Sequence, residues 1–553
     1  MATIIQDLWD FITNDLDLST AQAIIATLLA GGTTFGLARA VYNVSPLHPL
    51  SHIPGPKLNA MTYLPEFFHD TIRFGKYTSE IAKMHETYGP IVRINPDEVH
   101  CNDPKFANEI FPSGGRKRDK VPHQVRGSAI EYSGFSTVDH DRHRQLRGPV
   151  AKFFSRTQVT KLEPQVAGQV QRLCSRLLAW SGREPLDLAS AYSCFTSDVI
   201  SGYSFGQSFG FLDRQGPKGE PVWEPNYHKP VYSLLQTVFL FRYFPFLKHT
   251  SLAAVYLTSI LPEDMGLFIK TLMVDIPSYV RQTQADLDSG VLDPNNNDKP
   301  TVFASLLNSD LPEELKTVTR LSDEAAAVLN AGTETTSWTV AIITYYLLAQ
   351  PATLARLTAE LQTVVSDPLN LPRWAVLEKL PFLSAVIQEA LRLSYGVSAR
   401  TGRVPTAESL LYKGEMTDPK TGVSRPVQYV IPQDYGIGMS AVITHHNEKS
   451  FPNSHTFDAE RWLFGEDAEG VNKFGQTRRE LDDAHMSFGK GSRGCLGINL
   501  AQCELYLLVT ALTLRVLPHM ELFETTEEDV KYDRDMFIPL TKSSSKGVRV
   551  TIS

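Results

Sequence analysis

The sequence has few of the residues that build a disulfide framework or a zinc site. Its five cysteines are an odd number, and no two of them have the C-x-x-C spacing. This pattern argues against a disulfide scaffold or a structural zinc site, and it indicates a reducing compartment. The five are Cys101, Cys174, Cys194, Cys495 and Cys503.

The chain also lacks a strong excess of one charge and a long internal linker. Its net charge is −8 over 553 residues, with acidic and basic residues interspersed. This balance argues against nucleic acid as the main partner. No long segment rich in Gly, Ser and Pro divides the chain after residue 60. We therefore predict one large catalytic domain rather than the roughly two to four domains that the length alone suggests.

The amino-terminal segment lacks the basic start of a secretory signal. Acidic residues precede an uncharged run from Leu18 to Ala38, which has about the 20 residues that a helix needs to cross a bilayer. Arg39 follows, and the positive-inside rule then places the downstream chain in the cytosol. We predict an uncleaved, single-pass anchor (1–45) in the endoplasmic reticulum membrane; the alternatives are a soluble helix or a cleaved presequence. The sequon at Asn43 stays unglycosylated in this orientation.

A glycine-rich stretch around one cysteine is the most distinctive part of the sequence. Residues 488–497 read FGKGSRGCLG, and an apolar helical run follows. Glycines let a backbone approach a flat ligand closely, and a thiol just before a helix N-terminus lies where an anion is favoured. We therefore predict that Cys495 binds a soft metal centre, with haem iron as the obvious candidate. The alternative is a loop that caps a core helix, with Cys495 as a small buried hydrophobe.

This stretch resembles the cysteine loop of cytochrome P-450 haem-thiolate monooxygenases, F-x-x-G-x-R-x-C-x-G. The five specified positions are Phe488, Gly491, Arg493, Cys495 and Gly497. The resemblance implies that all five contact the cofactor, haem b. It also implies that Cys495 is the axial ligand of the iron and that Arg493 binds a haem propionate.

A polar interruption lies in the middle of a long apolar helix. The helix is predicted to begin with an N-cap and acidic first turn at Ser322–Glu324, and to run for about 28 residues, or roughly 42 Å. Residues 331–336 read AGTETT and resemble the oxygen-binding segment of the same family. The resemblance implies that Gly332 leaves room for dioxygen, that the Thr335 hydroxyl takes part in oxygen activation, and that Glu334 relays protons. The alternative is a kinked core helix, bent by threonine hydroxyls on backbone carbonyls.

Basic residues at helical spacing indicate further contacts with the cofactor. His143 and Arg147 are four residues apart and share one face of a predicted helix. The family usually has W-x-x-x-R here, and both side chains bind haem propionates; His143 takes the tryptophan position and keeps a ring N–H. The alternative is a solvated basic helix. The neighbouring Arg142 and Arg144 are expected to present positive charge to a reductase.

A third set of residues resembles the scaffold behind the haem. Glu389 and Arg392 match the family's E-x-x-R motif, and Arg461 lies in FDAERW, where Ala459 replaces the usual proline. The resemblance implies a buried network of Glu389, Arg392 and Arg461 that serves folding and haem retention rather than catalysis. Arg403 lies eleven residues after Arg392, where the family places a propionate-binding arginine.

Two other segments give weaker signals. Residues 238–247 are unusually aromatic and are either a substrate-channel lid that dips into the bilayer, as in the resembled family, or plain core packing. Residues 413–428 are predicted to form an extra surface hairpin.

The motifs occur in the family's order between residues 143 and 497, and they predict a mainly helical α+β haem domain (46–553) with small β-sheets. The predicted function is monooxygenation of an apolar small molecule, with electrons from NADPH through a flavoprotein reductase, because no flavin, nicotinamide or iron–sulfur motif occurs here. The motifs resemble those of fungal enzymes of terpenoid and other secondary metabolism. The alternatives are a haem-thiolate isomerase or dehydratase that acts on a hydroperoxide, and a non-enzymatic haem carrier or sensor.

Overall fold

Helices form most of the structure, a computed structural model that describes residues 20–249, 261–291, 301–417, 421–465 and 470–553. The α-helices are α1 (Thr20–Val44), α2 (Lys57–Met61), α3 (Leu64–Phe67), α4 (Tyr77–Tyr88), α5 (Ala107–Ile110), α6 (Pro122–Val125), α7 (His140–Phe153), α8 (Arg156–Leu178), α9 (Leu188–Phe205), α10 (His228–Tyr243), α11 (Glu263–Lys270), α12 (Ile276–Asp288), α13 (Val302–Leu307), α14 (Val318–Ala349), α15 (Pro351–Gln362), α16 (Trp374–Leu377), α17 (Pro381–Ser394), α18 (Ala441–His445), α19 (Arg478–Ala484) and α20 (Ile498–Arg515). Short π-helical turns cover Phe68–Ile72 and Thr271–Asp275.

The strands are short, and most of them lie between residues 91 and 120 or after residue 400. They are β1 (Ile91–Arg93), β2 (Glu98–Cys101), β3 (Arg118–Lys120), β4 (Leu186–Asp187), β5 (Thr401–Pro405), β6 (Leu410–Thr417), β7 (Ser424–Ile431), β8 (Gly436–Met439), β9 (Met520–Leu522), β10 (Arg534–Met536), β11 (Ile538–Leu540) and β12 (Arg549–Ile552). This content confirms the predicted mainly helical α+β class with small sheets.

One five-stranded sheet has the order β1-β2-β8-β5-β3, in which β2 and β8 are parallel and the other neighbours are antiparallel. A three-stranded sheet has the order β4-β12-β9, and β6–β7 and β10–β11 are hairpins. The β6–β7 pair confirms the predicted surface hairpin; its tip, residues 418–420, lies outside the described residues. In the β3–β5 pair, Lys120 lies directly opposite Arg403.

The long helix α14 runs through the main hydrophobic core. Its carboxyl-terminal half is apolar and buried, from Val340 to Ile343 and beyond, and it packs against α9, α12, α17 and α20. A helix that is buried on all sides needs apolar residues around its whole circumference. The polar residues in its middle are therefore the exception, and they mark the segment that the core does not explain.

Helix α14 begins earlier than the sequence predicts. It covers Val318–Ala349, and the side chain of its N-cap, Thr317, accepts from the N–H of Arg320 at 3.4 Å. The predicted N-cap at Ser322 is therefore wrong, because Ser322 lies within the first turns of the helix. The Thr317 hydroxyl caps the helix in the way that was predicted for Ser322, because it accepts from a backbone N–H in the first turn.

The acidic residues near the start of α14 bind another segment instead of the helix end. Asp323 accepts from the N–H of Tyr132 at 2.8 Å, and Glu324 accepts from the N–H of Gly134 at 2.9 Å. These contacts hold the loop before α7 against the long helix. Asp323 and Glu324 therefore bind a distant loop rather than the free N–H groups of a first helical turn. This explains why the helix start predicted from these two residues is wrong.

Helix α1 covers most of the predicted anchor. The segment Gln22–Val44 is long and apolar enough to cross a membrane; the beginning of the predicted run, at Leu18, lies outside the described residues. At the end of α1, Asn43 is buried and its Nδ2 donates to the carbonyl of Met61 at 3.0 Å. That amide nitrogen is thus engaged within the protein, and the absence of a glycan at this sequon stays a prediction.

The aromatic segment 238–247 divides into two parts. Phe239 and Phe241 are buried in α10, whereas Phe244 and Phe246 are exposed. Core packing therefore accounts for the first part, and the exposed rings of Phe244 and Phe246 can contact another surface.

Candidate functional site

The cysteine loop, Phe488–Gly497, turns tightly and places Cys495 just before α20. The N–H of Cys495 donates to the carbonyl of Phe488 at 2.7 Å, and the N–H of Gly494 donates to the carbonyl of Gly491 at 3.0 Å. Gly491 has φ +69°, and a Cβ at this position would lie 2.5 Å from the carbonyl oxygen of Phe111. Only glycine combines that backbone conformation with so close an approach.

The thiol of Cys495 has a different environment from the other four cysteines. All five lie within the described ranges; the other four are buried, and Cys495 is exposed. Burial by the surrounding protein nevertheless raises the pKa of the Cys495 thiol, against the opposing effects of the Gly497 N–H and the charge of Arg147. A side chain that is both accessible and desolvated faces an enclosed space inside the protein. A metal cation in that space would favour the thiolate.

Basic side chains from four segments gather near this thiol. The charge of Arg493 lowers the pKa of three of the others, and none of the five forms an ion pair with a residue that the structure describes. They are Lys120 on β3, His143 and Arg147 on α7, Arg403 on β5 and Arg493 in the cysteine loop.

The pKa values of this basic cluster are lowered, although the charges of Asp119 and Asp139 oppose the shift of Arg493. Burial and then the charge of Arg493 lower the pKa of Arg403 to about 9 and that of His143 to about 3. Burial lowers the pKa of Arg493 to about 10. The pKa of Lys120 lies well below its usual value because of burial and the nearby Arg403 and Arg493. Buried like charges are costly unless an anion lies among them.

Arg493 retains a donor that no described residue uses. Its two terminal nitrogens donate to the carbonyls of Thr137 at 2.7 Å and Val138 at 2.6 Å, whereas its buried Nε has no hydrogen-bond partner. Carboxylates match guanidinium geometry and charge. The residues present therefore fit a flat ligand that carries carboxylates at one edge and a metal for the thiol, as haem does.

The middle of α14 has one open face. Ala331 is exposed and Thr335 is partly exposed, whereas Thr333, Glu334 and Thr336 are buried. The Thr335 hydroxyl donates to the carbonyl of Ala331 at 2.8 Å, the local bond that the threonine-rich sequence predicts. The open face thus consists of a methyl group and a hydroxyl that can change its hydrogen-bond partner.

Gly332 faces another helix. A Cβ at Gly332 would lie 2.8 Å from Cγ1 of Ile200 on α9, which is closer than real Cβ contacts. The missing side chain lets α9 and α14 pack closely. The exposed small residue of this segment is Ala331, and the role of Gly332 in making room for dioxygen stays a prediction.

Glu334 also points away from the open face. Its Oε1 accepts from the Ser193 hydroxyl at 3.0 Å, and its Oε2 lies 2.8 Å from Nδ1 of His228. Its side chain is 2% exposed. The carboxylate and the Thr335 hydroxyl therefore have separate partners, although they are neighbours in the sequence.

One contact connects the two motifs. Glu504 lies on α20, nine residues after Cys495, and its side chain hydrogen-bonds to Thr336 of α14. Burial raises the pKa of Glu504 to about 8, so the carboxyl is mostly protonated at neutral pH. From Ile498 to Glu504 the helix rises about 9 Å. This contact ties the helix that follows the thiol to the segment of α14 that carries the open face.

The structure brings together the three residues of the expected scaffold network. Glu389 accepts from Arg392 at 2.7 and 2.9 Å and lies 3.5 Å from Arg461, and all three are fully buried. Trp462 Nε1 adds a bond to Glu389 at 2.9 Å. Although burial disfavours the ionised form, Arg392 holds the pKa of Glu389 below its usual value.

Comparison with known proteins agrees with this geometry. The Cytochrome P450 family model matches residues 54–531. The cytochrome P450 monooxygenase ppzE of Metarhizium majus is 39% identical over 84% of this chain and 95% of its own length, and the tryptophan 6-hydroxylase fscE of Fusarium equiseti is 36% identical over 91% of this chain and 92% of its own. The retinoic acid-bound cyanobacterial CYP120A1 shares the fold, with a TM-score of 0.62 over 88% of this chain and 96% of its own at 17% identity.

A protein with this fold and an accessible cysteine of this kind is of the haem-thiolate class. The chain belongs to the cytochrome P450 family, and it is an oxidoreductase of the monooxygenase type. The predicted family and enzyme class are thereby confirmed, as is the fungal character of its relatives.

Sequence reasoning missed two residues of this site. Lys120 lies in no motif, and only the pairing of β3 with β5 brings it beside Arg403. His228 begins α10 and meets Glu334 from 106 positions away in the chain. The sequence carries no spacing that predicts either contact.

Proposed function

We propose that the chain binds haem b between the cysteine loop and the open face of α14, with Cys495 as the axial ligand of the iron. The observation that carries this proposal is the buried basic cluster, whose members form no ion pair with a described residue and which two propionates would neutralise. Phe488, Gly491 and Gly497 shape the loop that presents the thiol. The propionate-binding set is Lys120, His143, Arg147, Arg403 and Arg493.

When bound, thiolate-ligated haem activates dioxygen so that one oxygen atom enters the substrate and the other leaves as water. For this reaction the chain supplies space for dioxygen, a hydroxyl group and a path for protons. Ala331 leaves space on the open face, and the Thr335 hydroxyl can turn from the carbonyl of Ala331 toward that space. Glu334 is the neighbouring acid of the proposed proton path, and Ser193 and His228 hold its carboxylate. Glu389, Arg392 and Arg461 keep the scaffold behind the cysteine loop rigid.

The proposed substrate is an apolar small molecule, such as a terpenoid or another secondary metabolite. Phe135 is 44% exposed and meets Phe537 edge to face, with ring centroids 5.5 Å apart. Lys120 Nζ lies 3.6 Å from the centroid of Phe135, which places this aromatic pair beside the basic cluster. The accessible aromatic surface therefore adjoins the cofactor site, where an apolar substrate has to bind.

Residues 1–45 serve in this proposal as a single-pass anchor in the endoplasmic reticulum membrane, and residues 46–553 form a cytosolic haem domain. The apolar helix α1 and the engaged amide of Asn43 support this arrangement, and the exposed Phe244 and Phe246 supply a second surface for lipid. NADPH–cytochrome P-450 reductase supplies the electrons. The exposed Arg142 and Arg144 on α7 offer it positive charge.

The test uses the full-length protein with purified reductase and NADPH. Candidate apolar compounds are screened by the shift of the haem Soret band, and the product of a binding compound is then measured. Thr335→Ala should lower product formed per NADPH and raise hydrogen peroxide. The control is Thr363→Ala, an exposed threonine that also donates to a backbone carbonyl, at 2.7 Å. Unchanged coupling in Thr335→Ala, or turnover of a hydroperoxide without reductase, would count against monooxygenation through this residue.

A further inference from the structure

His445 lies between two motifs that the proposed function uses separately. It is the last residue of α18 and is fully buried. Its Nδ1 lies 2.7 Å from the carbonyl oxygen of Arg392 on α17, and its Nε2 accepts from the backbone N–H of Met486 at 2.8 Å. Met486 comes two residues before the cysteine loop begins at Phe488. One imidazole ring therefore connects the helix of the scaffold network to the start of the loop.

The two partners determine the protonation state of this ring. A carbonyl oxygen can only accept a hydrogen bond and a backbone N–H can only donate one, so Nδ1 of His445 carries the proton and Nε2 does not. A second proton on the ring would place an N–H against the N–H of Met486. Burial and then the charge of His485 also lower the pKa of His445 well below its usual value. The ring is thus neutral, and both of its nitrogens are used.

Arg392 holds His445 in two ways. Its carbonyl accepts from the ring, and its Nη1 donates to the carbonyl of His445 at 3.0 Å. The carbonyl of Arg392 is one of the last four of α17, which have no partner within the helix. A histidine near the C-terminus of a helix can supply the missing donor. The position of the ring therefore follows the end of α17, the helix that carries Glu389.

A second bond ties the same segment to α17. The Ser487 hydroxyl donates to the carbonyl of Leu391 at 2.6 Å, and the N–H of Tyr395 also donates to that oxygen, at 3.1 Å. On the loop side, the N–H of Gly489 donates to the carbonyl of Met486 at 2.8 Å. Met486 thus holds the His445 ring with its N–H and the first turn of the loop with its carbonyl.

We propose that His445 is a positioning residue for the thiolate of Cys495: its ring transmits the position of α17 to the cysteine loop and determines where that loop presents the sulfur. This inference rests on the proposed haem-binding function and deepens it, because it names the residue that connects the scaffold network with the axial ligand. Loss of the bond to Met486 leaves a buried N–H without a partner and frees the start of the loop. The sulfur ligand should then be lost more readily, although the fold is intact.

Two substitutions separate the two bonds of the ring. Asparagine has its amide nitrogen near the position of Nδ1, so His445→Asn can still donate to Arg392 but does not reach Met486. Glutamine has its amide oxygen near the position of Nε2, so His445→Gln can still accept from Met486 but leaves the carbonyl of Arg392 without this donor. Each variant loses one buried hydrogen bond, and both should lower Tm by similar amounts. Only His445→Asn should free the cysteine loop.

The first readout is the spectrum of the full-length holoprotein. The reduced, carbon monoxide-bound form should absorb near about 450 nm when the sulfur ligates the iron, and the loss of this band is timed at a fixed interval below the Tm of each variant. His445→Asn should lose the band about tenfold faster than wild type, because a buried N–H is left unsatisfied. His445→Gln should stay within about twofold of wild type. Ser487→Ala should lie between them, because the carbonyl of Leu391 keeps the N–H of Tyr395.

His85→Asn is the matched control. His85 is also buried and lies 2.7 Å from a backbone carbonyl, that of Gly89, but its other ring nitrogen contacts His100 instead of the loop. This variant should lower Tm without changing the rate at which the band is lost. Equal rates in His445→Asn and His85→Asn, or in His445→Asn and His445→Gln, would show that loss of the band only follows loss of stability, and they would overturn the inference.

A second measurement needs no cofactor. Hydrogen exchange of the backbone N–H of Met486 reports local opening at the start of the loop, and it should be about tenfold faster in His445→Asn than in wild type. Unchanged exchange in His445→Asn would overturn the inference, even if His445→Gln does not fold. A wild type that lacks the thiolate band would count against the proposed function itself. A normal wild-type band, with unchanged rates and exchange in His445→Asn, would count against His445 alone.

Discussion

Lys120 and Arg403 lie directly opposite each other on the antiparallel strands β3 and β5. Like charges in such a pair destabilise a sheet, and burial lowers the pKa of both residues. This pair of cations therefore destabilises the apoprotein. An anion between the two side chains would turn the same pair into a stabilising interaction.

Lys120→Met should therefore act in opposite directions on the two forms of the protein. Methionine keeps the apolar stem, so the apoprotein should be as stable as wild type or up to about 1 kcal/mol more stable. The holoprotein should release haem about tenfold faster, which corresponds to the loss of one charged hydrogen bond of about 1.5 kcal/mol. Urea unfolding of the apoprotein and haem transfer to an acceptor protein measure the two effects. The exposed Lys152→Met should change neither, and slower haem release in Lys120→Met would refute the role of Lys120.

Glu389→Gln should destabilise the protein by about 3–5 kcal/mol, because it leaves Arg392 and Arg461 buried without their carboxylate. The depressed pKa of Glu389 also sets a pH dependence. Its stabilisation is present above the unfolded-state pKa of about 4.3 and is lost as the pH falls through the lower folded-state value. Denaturant unfolding at pH 7 and at acid pH measures both. Glu313→Gln, in an exposed pair with Lys316, should cost less than about 1 kcal/mol; a similar cost for the two variants would contradict a buried network.

Asp535→Asn should stabilise the protein at alkaline pH. Burial and then the charge of Asp70 raise the pKa of Asp535 to about 7, so the folded state favours the protonated form. Stability from this group is greatest below its unfolded-state pKa of about 3.9 and is lost as the pH rises toward the folded-state value. The gain in Tm for Asp535→Asn should therefore be near zero at acid pH and several degrees at pH 8.

Asp533→Asn provides the matched control for that substitution. Asp533 pairs with Lys76 at 2.8 Å, so its replacement should lower Tm at pH 8. A loss of Tm at pH 8 in both variants would show that Asp535 is ionised and paired, against this account.

Gly332→Ala should destabilise the holoprotein by about 1–3 kcal/mol through overpacking, despite a gain of about 1 kcal/mol in helix propensity. In an Ile200→Ala background the cost of Gly332→Ala should be smaller, because that change removes Cγ1 and Cδ1 of Ile200, two of the three atoms that the added Cβ meets. Thermal unfolding and the peroxide yield of both variants check this. If stability is unchanged but the peroxide yield rises, and it rises equally in the Ile200→Ala background, Gly332 acts on dioxygen as its motif implies.

Contiguous motifs made much of this protein predictable from its sequence. The cysteine loop, the long helix and the Glu389–Arg392 pair each place their residues within one turn or one helix, where spacing determines proximity. The position of Gly491 could also be predicted from local sequence, because a turn of this kind requires glycine at a positive φ.

Contacts between distant segments account for what the sequence did not predict. Asp323 and Glu324 resemble a helix start, but they bind the loop before α7, and the true cap is Thr317. The partners of Gly332 and Glu334 lie on α9 and α10, and no local pattern shows which face of α14 those helices cover. Strand register alone determines that Lys120 meets Arg403.

The most direct test of the central claim is the absorption of the reduced, carbon monoxide-bound protein. If the thiolate of Cys495 ligates haem iron, the band should lie near about 450 nm, and Cys495→Ser should abolish it, whereas Cys503→Ser, at a buried cysteine, should retain it. A folded, haem-loaded wild type that absorbs near roughly 420 nm instead would show that the iron lacks this sulfur ligand, and it would contradict the account.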